Sequence, residues 1–168
     1  MLLRPTTTKS KAAIICARAH AFQIRVLSRG HDFEGLSYRS RHRLVLIDLV
    51  NLRSITINMD DETAWVQAGA TLGELYHNIA NKSDSHAFPA GLCPSVGVGG
   101  HISGGGIRPS GRKNHECERR DPRQGIDGRG SFLGHQRRGG ASFGIILAWR
   151  VQLVRVPPLA TVSPCTKT

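Results

Sequence analysis

A glycine-rich segment from Phe88 to Gly106 constrains the fold of this 168-residue chain more than any other part of its sequence. Six of the ten residues from Gly97 to Gly106 are glycine, and apolar residues such as Val98 and Ile102 lie between them. Because glycine has no Cβ, such a backbone can approach a ligand closely. The segment therefore predicts a backbone wrapped around a pyrophosphate or a planar ring edge. A flexible linker is the alternative, which the interleaved apolar residues disfavour.

The segment does not match two common phosphate-binding fingerprints. The dinucleotide-binding Gly-x-Gly-x-x-Gly loop needs a preceding strand and a following long helix, and the pattern here fits neither. The Walker A loop ends in Gly-Lys-Ser/Thr, which does not follow these glycines. Any phosphate contact is therefore expected from a different arrangement.

A second candidate segment lies between Arg25 and Gly35, where a predicted strand runs into a turn that contains Ser28, Gly30 and His31. A turn of this kind can present successive backbone N–H groups to a phosphate and so form an anion nest. The alternative is an ordinary turn at a strand end with a histidine on the surface. The residues of this segment alone leave both interpretations open.

Apolar periodicity predicts mostly strands with two or three helices. Thr71 and Glu74 have the spacing of a capping box, which marks the start of the best-defined helix. The predicted elements are a helix over Ala12–Ala21, strands over Gln23–Ser28, Leu44–Leu49, Ser54–Met59 and Ala64–Ala68, a helix from Thr71 to near Asn81, and a last strand over Gly144–Val154. This order indicates an α+β fold rather than a doubly wound sheet.

The net charge of +11 is typical of nucleic-acid-binding proteins. The stretch from Ile107 to Arg138 carries nine basic and four acidic residues and so supplies +5 of that charge. Its one aromatic residue is Phe132, so it offers bases no stacking platform. A basic nucleic-acid-interacting module therefore stays an alternative that the composition disfavours.

Targeting, membrane and metal signals are weak throughout the sequence. The four cysteines form no CxxC pair and no zinc spacing with histidine, so we predict no metal site. Residues 1–12 have no apolar core, so no signal peptide is predicted. No run approaches the ~20 apolar residues of a membrane span, and we expect no membrane partner.

Five peptides follow one another along the chain in a fixed order: RVLSRGHDFEGLSYRS, LVLIDLVNLRSI, AWVQAGATLGELYHNIA, FPAGLCPSVGVGGHISGGG and GGASFGIILAWRVQLVRVP. In sequence and order they resemble the berberine-bridge-enzyme-like oxidases, which belong to the flavoprotein superfamily of vanillyl-alcohol oxidase and p-cresol methylhydroxylase. The resemblance covers about residues 14–106 and 139–158. It implies an incomplete α+β FAD-binding domain of the vanillyl-alcohol-oxidase type.

The resemblance also implies that FAD is held by two covalent bonds, one from His31 to the flavin ring methyl and one from Cys93 to a neighbouring ring carbon. A neutral imidazole and a thiolate are the nucleophiles that such attachment needs. The residues that the resemblance assigns to cofactor binding come from both candidate segments: Ser28, Arg29, Gly30, His31, Asp32, Cys93, Val98, Gly99, Gly100, His101, Ser103 and Gly104.

Arg29 departs from the family pattern, which usually has glycine at this position. A long side chain in a tight turn could clash with the pyrophosphate or require an unfavourable φ, whereas its charge could instead stabilise the phosphates. The sequence leaves these alternatives open.

Residues 107–138 depart more strongly. Codons can be chosen for GIDGRGSFLGHQRRG that, read one nucleotide later, encode Gly-Ser-Met-Gly-Glu-Asp-Leu-Phe-Trp-Ala-Ile-Arg-Gly-Gly, which resembles the family at this point; we hypothesise a frame-shifted stretch. The predicted organisation is a poorly ordered N-terminus over 1–12, FAD-binding residues over 13–106, the aberrant stretch over 107–138, the last strand within 139–158 and a tail over 159–168, with the family's substrate domain absent.

The sequence thus predicts the FAD-binding part of an oxidoreductase. The resemblance implies hydride transfer from an alcohol, carbohydrate or alkaloid donor to FAD, with O₂ or another acceptor. No catalytic base is assigned, because the family's base lies in the substrate domain. The resemblance implies a secreted or cell-wall protein and leaves the oligomeric state open. A non-functional gene product without a stable fold is the main alternative.

Genomic and transcript reads through the codons for residues 100–145 test the frame-shift hypothesis. We expect reads in which a single change of frame restores the acidic and aromatic family segment. If every base of the present frame is supported, and related genes share the same peptide, the hypothesis is wrong.

Overall fold

A computed structural model describes residues 2–4, 7–105 and 145–157 of the chain. Strands and short helices are mixed along it, which confirms the predicted α+β class. In chain order the elements are β1 (Leu2–Leu3), α1 (Thr7–Ala19), β2 (Gln23–Leu27), β3 (Leu44–Asp48), β4 (Ile55–Asn58), β5 (Thr63–Gln67), α2 (Leu72–Ala80), β6 (His86–Ala87), α3 (Val98–Ser103), β7 (Ala148–Gln152) and β8 (Val154–Arg155).

The first sheet is parallel, in the order β1-β3-β2. Its central strand β3 is a near-continuous apolar run in which Ile47 is fully buried, as expected for a parallel strand covered on both faces. Asp48 ends this strand, and its carboxylate accepts hydrogen bonds from Arg4 Nε at 2.9 Å and from the Val50 N–H at 3.0 Å. Leu27 at the end of β2 lies opposite Asp48, so the carboxyl ends of both strands are adjacent.

The second sheet is antiparallel, in the order β4-β5-β7. Strands β4 and β5 form the predicted hairpin, whose turn includes Glu62 in a left-handed conformation with φ of 51°. Strand β7 pairs with β5 along its whole length, from Thr63 opposite Gln152 to Gln67 opposite Ala148. The central strand β5 is therefore paired on one edge with its hairpin neighbour β4 and on the other edge with β7, which lies much later in the chain.

Helix α2 begins with the predicted capping box. Thr71 Oγ1 accepts a hydrogen bond from the Glu74 N–H at 3.2 Å, and the Glu74 carboxylate accepts one from the Thr71 N–H at 2.8 Å. Leu72, Leu75 and Ile79 lie on one face and are buried in the core. The helix is thus fixed both at its start and along its buried face.

The N-terminal region differs from the prediction. Residues 1–12 were expected to be poorly ordered, but Leu2–Leu3 pair with β3 and α1 begins at Thr7. The reason is that two leucines can extend an apolar parallel sheet beside a strand that is itself apolar.

The glycine-rich segment and the last strand also differ from the prediction. No helix was expected in the segment, yet Val98–Ser103 form α3, in which Val98 and Ile102 are both buried. One turn apart on the same face, these two side chains gain enough from burial to override the low helix propensity of glycine.

The last strand divides at Leu153, whose N–H donates to the Glu62 carbonyl at 2.7 Å. The chain then passes from β7 to β8, which pairs with β6.

Part of the predicted organisation falls outside the described residues. The arginine-rich stretch 107–138, residues 139–144 of the last-strand segment and the tail 159–168 all belong to this part. The frame-shift hypothesis therefore stays a prediction.

Replacement of Gly69 by alanine tests a contact that sets the spacing between the end of β5 and the loop after β3. A Cβ at Gly69 would lie 1.8 Å from the Leu49 carbonyl oxygen, so the backbone would have to shift. We expect Gly69→Ala to lower the free energy of unfolding by about 2–4 kcal/mol in urea denaturation. Gly100→Ala is the control, because no atom lies within 4 Å of a Cβ there. Equal stability of the two variants would contradict the prediction.

Candidate functional site

A cavity of about 510 Å³ lies where the loop after β2 meets α3 and the segment before β7. It brings together the two segments that the sequence singled out. Ten of the twelve predicted site residues line it: Ser28, Arg29, Gly30, His31, Asp32, Gly99, Gly100, His101, Ser103 and Gly104.

The other two predicted site residues, Val98 and Cys93, do not line the cavity. Val98 is fully buried, because its position in α3 faces the core. Cys93 is exposed in the loop that precedes α3. The first is therefore a packing residue, and the second belongs to a loop beside the cavity.

The loop after β2 has unused backbone donors. Gly30 adopts a left-handed φ of +71°. In the part of the chain that the structure describes, no hydrogen bond uses the N–H groups of Arg29, Gly30, His31 or Asp32. Successive free donors around a left-handed residue form a nest that can bind an anion.

Asp32 holds this loop in shape. Its carboxylate accepts a hydrogen bond from the Ser37 N–H at 2.7 Å, and its carbonyl accepts one from the Gly35 N–H at 3.1 Å. Gly35 has a left-handed φ of +72°, which closes the turn. An acidic residue can therefore stand beside an anion nest, because its carboxylate is engaged with the loop itself.

The carbonyl oxygen of Ala68, just after β5, joins the loop to α3. It accepts hydrogen bonds from Ser28 Oγ at 2.6 Å and from the Gly99 N–H at 3.2 Å. A Cβ at Gly99 would lie 2.6 Å from this oxygen, and a Cβ at Gly97 would lie 2.4 Å from Ser28 Oγ. The two glycines thus permit an approach that any other residue would prevent.

The loop that carries Cys93 is held by the start of α2. The N–H of Leu72 donates to the Val96 carbonyl and that of Gly73 to the Pro94 carbonyl, each at 2.9 Å. The first N–H groups of a helix have no partner within the helix, and here the loop supplies one. The position of Cys93 therefore follows from that of α2.

His31 connects this loop to the nest. Its Nε2 lies 3.2 Å from Ser95 Oγ, and its Nδ1 lies 3.2 Å from the Arg29 carbonyl oxygen. Since a carbonyl oxygen only accepts, Nδ1 carries the proton, and in the neutral ring Nε2 accepts from the serine hydroxyl. Ser95 is two residues from Cys93, so the imidazole and the thiol belong to neighbouring loops.

The second cavity histidine, His101, is half-buried, and burial lowers the pKa of its imidazole. Its Cε1 lies 3.5 Å from where a Cβ of Gly91 would be. The Gly91 carbonyl accepts a hydrogen bond from the Tyr76 hydroxyl at 2.7 Å, and burial raises the pKa of that phenol. Both groups are therefore uncharged at neutral pH.

The structure decides one of the alternatives that Arg29 raised. Among non-glycine residues, only Ala21 and Glu62 have a positive φ in the described ranges, so the turn accepts Arg29 without backbone strain. Its side chain packs against Gly97, where a Cβ would lie 2.9 Å from Arg29 Cγ. Its Nη2 lies 3.7 Å from Glu74 Oε2, at the start of α2.

The Glu74 carboxylate forms ion pairs with Arg29 and Arg53 in addition to its part in the capping box of α2. Burial raises the pKa of this carboxyl, but hydrogen bonds from Arg53 and Thr71 outweigh it, and the pKa is lowered overall. The Glu74 side chain is therefore ionised at neutral pH and links α2 to the loop after β2.

Nine further residues line the cavity without having been predicted. They contribute backbone or mostly small apolar groups: Val26, Leu27, Ser37, Leu49, Ala68, Val96, Gly97, Ile145 and Ile146. Six of them lie in the two candidate segments or at the ends of predicted strands and so had a signal in the sequence: Val26, Leu27, Val96, Gly97, Leu49 and Ala68. Ile145 and Ile146 belong to the predicted last strand, but only tertiary pairing brings them to the cavity.

The described residues form neither a metal cluster nor a membrane-spanning helix. Within the described ranges, no three His, Cys, Asp or Glu side chains gather in a way that could hold a metal ion. No helix of these ranges is long and apolar enough to cross a membrane.

Comparison with known proteins gives consistent matches. A family model described as an FAD binding domain matches residues 1–119. The tetrahydroberberine oxidase of Berberis wilsoniae is 44% identical over 100% of this chain and 36% of its own length. A solved structure of berberine-bridge-enzyme-like protein 28 of Arabidopsis thaliana is 40% identical, with a TM-score of 0.81, over 93% of this chain and 35% of that one. The structure of Phl p 4, a grass pollen allergen with glucose dehydrogenase activity, is 36% identical, with a TM-score of 0.77, over 94% and 35%.

These matches include both segments that line the cavity, and they confirm the predicted vanillyl-alcohol-oxidase type of fold. They do not favour a nucleic-acid-interacting module or a chain without a stable fold. The chain spans about a third of the length of the curated relatives that it matches. It belongs to the family of FAD binding domains that berberine-bridge-enzyme-like oxidoreductases carry.

Proposed function

We propose that the cavity between the loop after β2 and α3 holds FAD, and that the chain forms the flavin-binding part of an oxidoreductase. One observation carries the proposal. Two segments far apart in sequence line one cavity, and Nε2 of His31 in the first segment lies 3.2 Å from Oγ of Ser95 in the second. Ser95 is two residues from Cys93 in the sequence.

The residues present fit a cofactor with a diphosphate. The N–H groups from Arg29 to Asp32, which donate to no other group within the described ranges, can meet phosphate oxygens. Gly100 lines the cavity with open space where a Cβ would stand, so a ligand can lie directly against the helix backbone. Val26, Leu49 and Ile146 supply an apolar wall for a ring system.

Covalent attachment through His31 and Cys93 is part of the proposal. Each bond would replace a C–H bond of the flavin, with the proton released to water and the two electrons passed on to O₂ or another acceptor. An imidazole nitrogen can form such a bond only when it carries no proton. With Nδ1 donating to the Arg29 carbonyl, Nε2 is the nitrogen without a proton whenever the ring is neutral. Cys93 is exposed and free, so its thiol is accessible. When bound, the flavin would supply the redox chemistry, accepting a hydride from the donor. The protein's part is to position the ring and to exclude competing reactions.

The donor of the longer oxidoreductase is proposed to be an alcohol, a carbohydrate or an alkaloid. Two similar proteins support this range: one is named a tetrahydroberberine oxidase and the other has glucose dehydrogenase activity. O₂ or another acceptor would reoxidise the flavin. A secreted or cell-wall location is likewise proposed, on the resemblance alone.

Acid precipitation tests both cofactor binding and its covalent attachment. We expect protein purified after exposure to FAD to give a yellow precipitate, because a covalent bond survives unfolding. The single variants His31→Ala and Cys93→Ala should each keep one link, and the double variant should release all flavin into the supernatant. Flavin absorbance of the two fractions is the measurement.

The matched controls are His42→Ala and Cys16→Ala, which alter an exposed histidine and an exposed cysteine away from the cavity. Both should precipitate as much flavin as the unchanged protein. A colourless sample with no flavin absorbance after addition of FAD would overturn the proposed function. A yellow precipitate from the double variant would overturn only the assignment of the two anchors.

The Gly100→Ala variant separates binding from stability. Its Cβ meets no atom within 4 Å, and alanine favours a helix, so the free energy of unfolding should stay equal or rise by up to about 1 kcal/mol. The same methyl group occupies cofactor space, so we expect FAD affinity to fall about tenfold or more in fluorescence titration. Unchanged affinity would show that the cofactor does not lie against this face of α3.

A further inference from the structure

Among the charged residues that line the cavity within the described ranges, Arg29 is the one permanent cation. The other charged lining residue is Asp32, and its carboxylate is bound to the Ser37 N–H. His101 is neutral at neutral pH because burial lowers its pKa. A diphosphate carries negative charge, and the nest offers it only uncharged N–H groups as hydrogen-bond donors. The charge balance of the site therefore depends on Arg29.

The Arg29 guanidinium is only partly compensated by other groups. Its contact with Glu74 is 3.7 Å, longer than a hydrogen bond. Glu74 Oε1 accepts hydrogen bonds from Arg53, and its Oε2 accepts from the Thr71 N–H at 2.8 Å. One carboxylate thus serves two guanidinium groups, and the cluster of Arg29, Arg53 and Glu74 keeps one net positive charge beside the cavity.

The position of the Arg29 side chain is also restricted. It is 21% exposed and lies against Gly97, where even a Cβ would come within 2.9 Å of it. Glu74 in turn is fixed by its capping box. The Arg29 side chain is therefore held between Gly97 and Glu74, and its buried Nε has no hydrogen-bond partner among the described residues.

We infer that Arg29 is a cofactor-binding residue that supplies the positive charge for the diphosphate, and that Glu74 is the positioning residue that keeps its guanidinium at the cavity. This inference rests on the proposed FAD function. It assigns a binding role to a side chain at a position where the family pattern usually has none. A planar guanidinium suits this role, because it can donate hydrogen bonds to phosphate oxygens while its charge remains fixed.

The rival explanation is that Arg29 acts only by pairing with the Glu74 carboxylate and so stabilising the start of α2. Arg53 distinguishes the two, because it binds the same carboxylate more closely than Arg29 does but does not line the cavity. If the link through Glu74 were all that mattered, loss of Arg53 would be at least as harmful as loss of Arg29.

The test is the FAD concentration at half-saturation, read from quenching of flavin fluorescence on rapid mixing, before covalent attachment, at several NaCl concentrations. We expect Arg29→Gln to raise it about tenfold at low salt, the loss of one charge-assisted hydrogen bond. The difference from the unchanged protein should shrink as salt screens the charge. Arg29→Lys should restore most of the salt dependence, and Arg53→Gln should change the value less than about twofold.

The outcomes separate the inference from the proposed function. If the unchanged protein binds no FAD, both are wrong. If it binds FAD and Arg29→Gln binds equally well with the same salt dependence, the inference alone is wrong. It is also wrong if Arg53→Gln reproduces the loss, because the effect would then be structural. Thermal unfolding of each variant identifies any that fails to fold, and in that case Arg29→Lys decides, since it must keep the salt dependence.

Discussion

The carbonyl oxygen of Ala68 is the contact on which the rest of the site depends. It accepts hydrogen bonds from Ser28 Oγ and from the Gly99 N–H, while the N–H of the same residue donates to the Leu147 carbonyl. The backbone of one residue after β5, Ala68, thus joins the loop after β2, helix α3 and the segment before β7. Glycine is therefore required at position 99 by this close contact and not by a need for flexibility, because a Cβ there would collide with the Ala68 carbonyl oxygen.

Much of the fold could be predicted from the sequence, because local sequence patterns favour the same strands and helices that packing in the core stabilises. The hairpin of β4 and β5 has alternating apolar residues on either side of an acidic turn, and the capping box of Thr71 and Glu74 marks a helix whose apolar face is buried. The two cofactor segments were also identified from their composition and resemblance. In each case, residues close in sequence carried the whole signal.

The remaining features depend on contacts that no local pattern reveals. Helix α3 forms despite its glycines because Val98 and Ile102 are buried, and the same burial removes Val98 from the cavity wall. The carboxylate of Asp32 accepts a hydrogen bond from its own loop, a contact that no sequence pattern indicates. The Glu74 contact of Arg29 likewise joins two segments that sequence alone could not bring together.

The pairing of β7 with β5 has a consequence for the gene as well as for the protein. Trp149 and Val151 of β7 are buried, so the sheet requires the present reading frame over this strand. On the frame-shift hypothesis, the reading frame must therefore be correct again by Ala148, where β7 begins. A frame restored later would leave one edge of β5 open to pairing with other molecules, and the product would aggregate rather than merely bind its ligand less tightly.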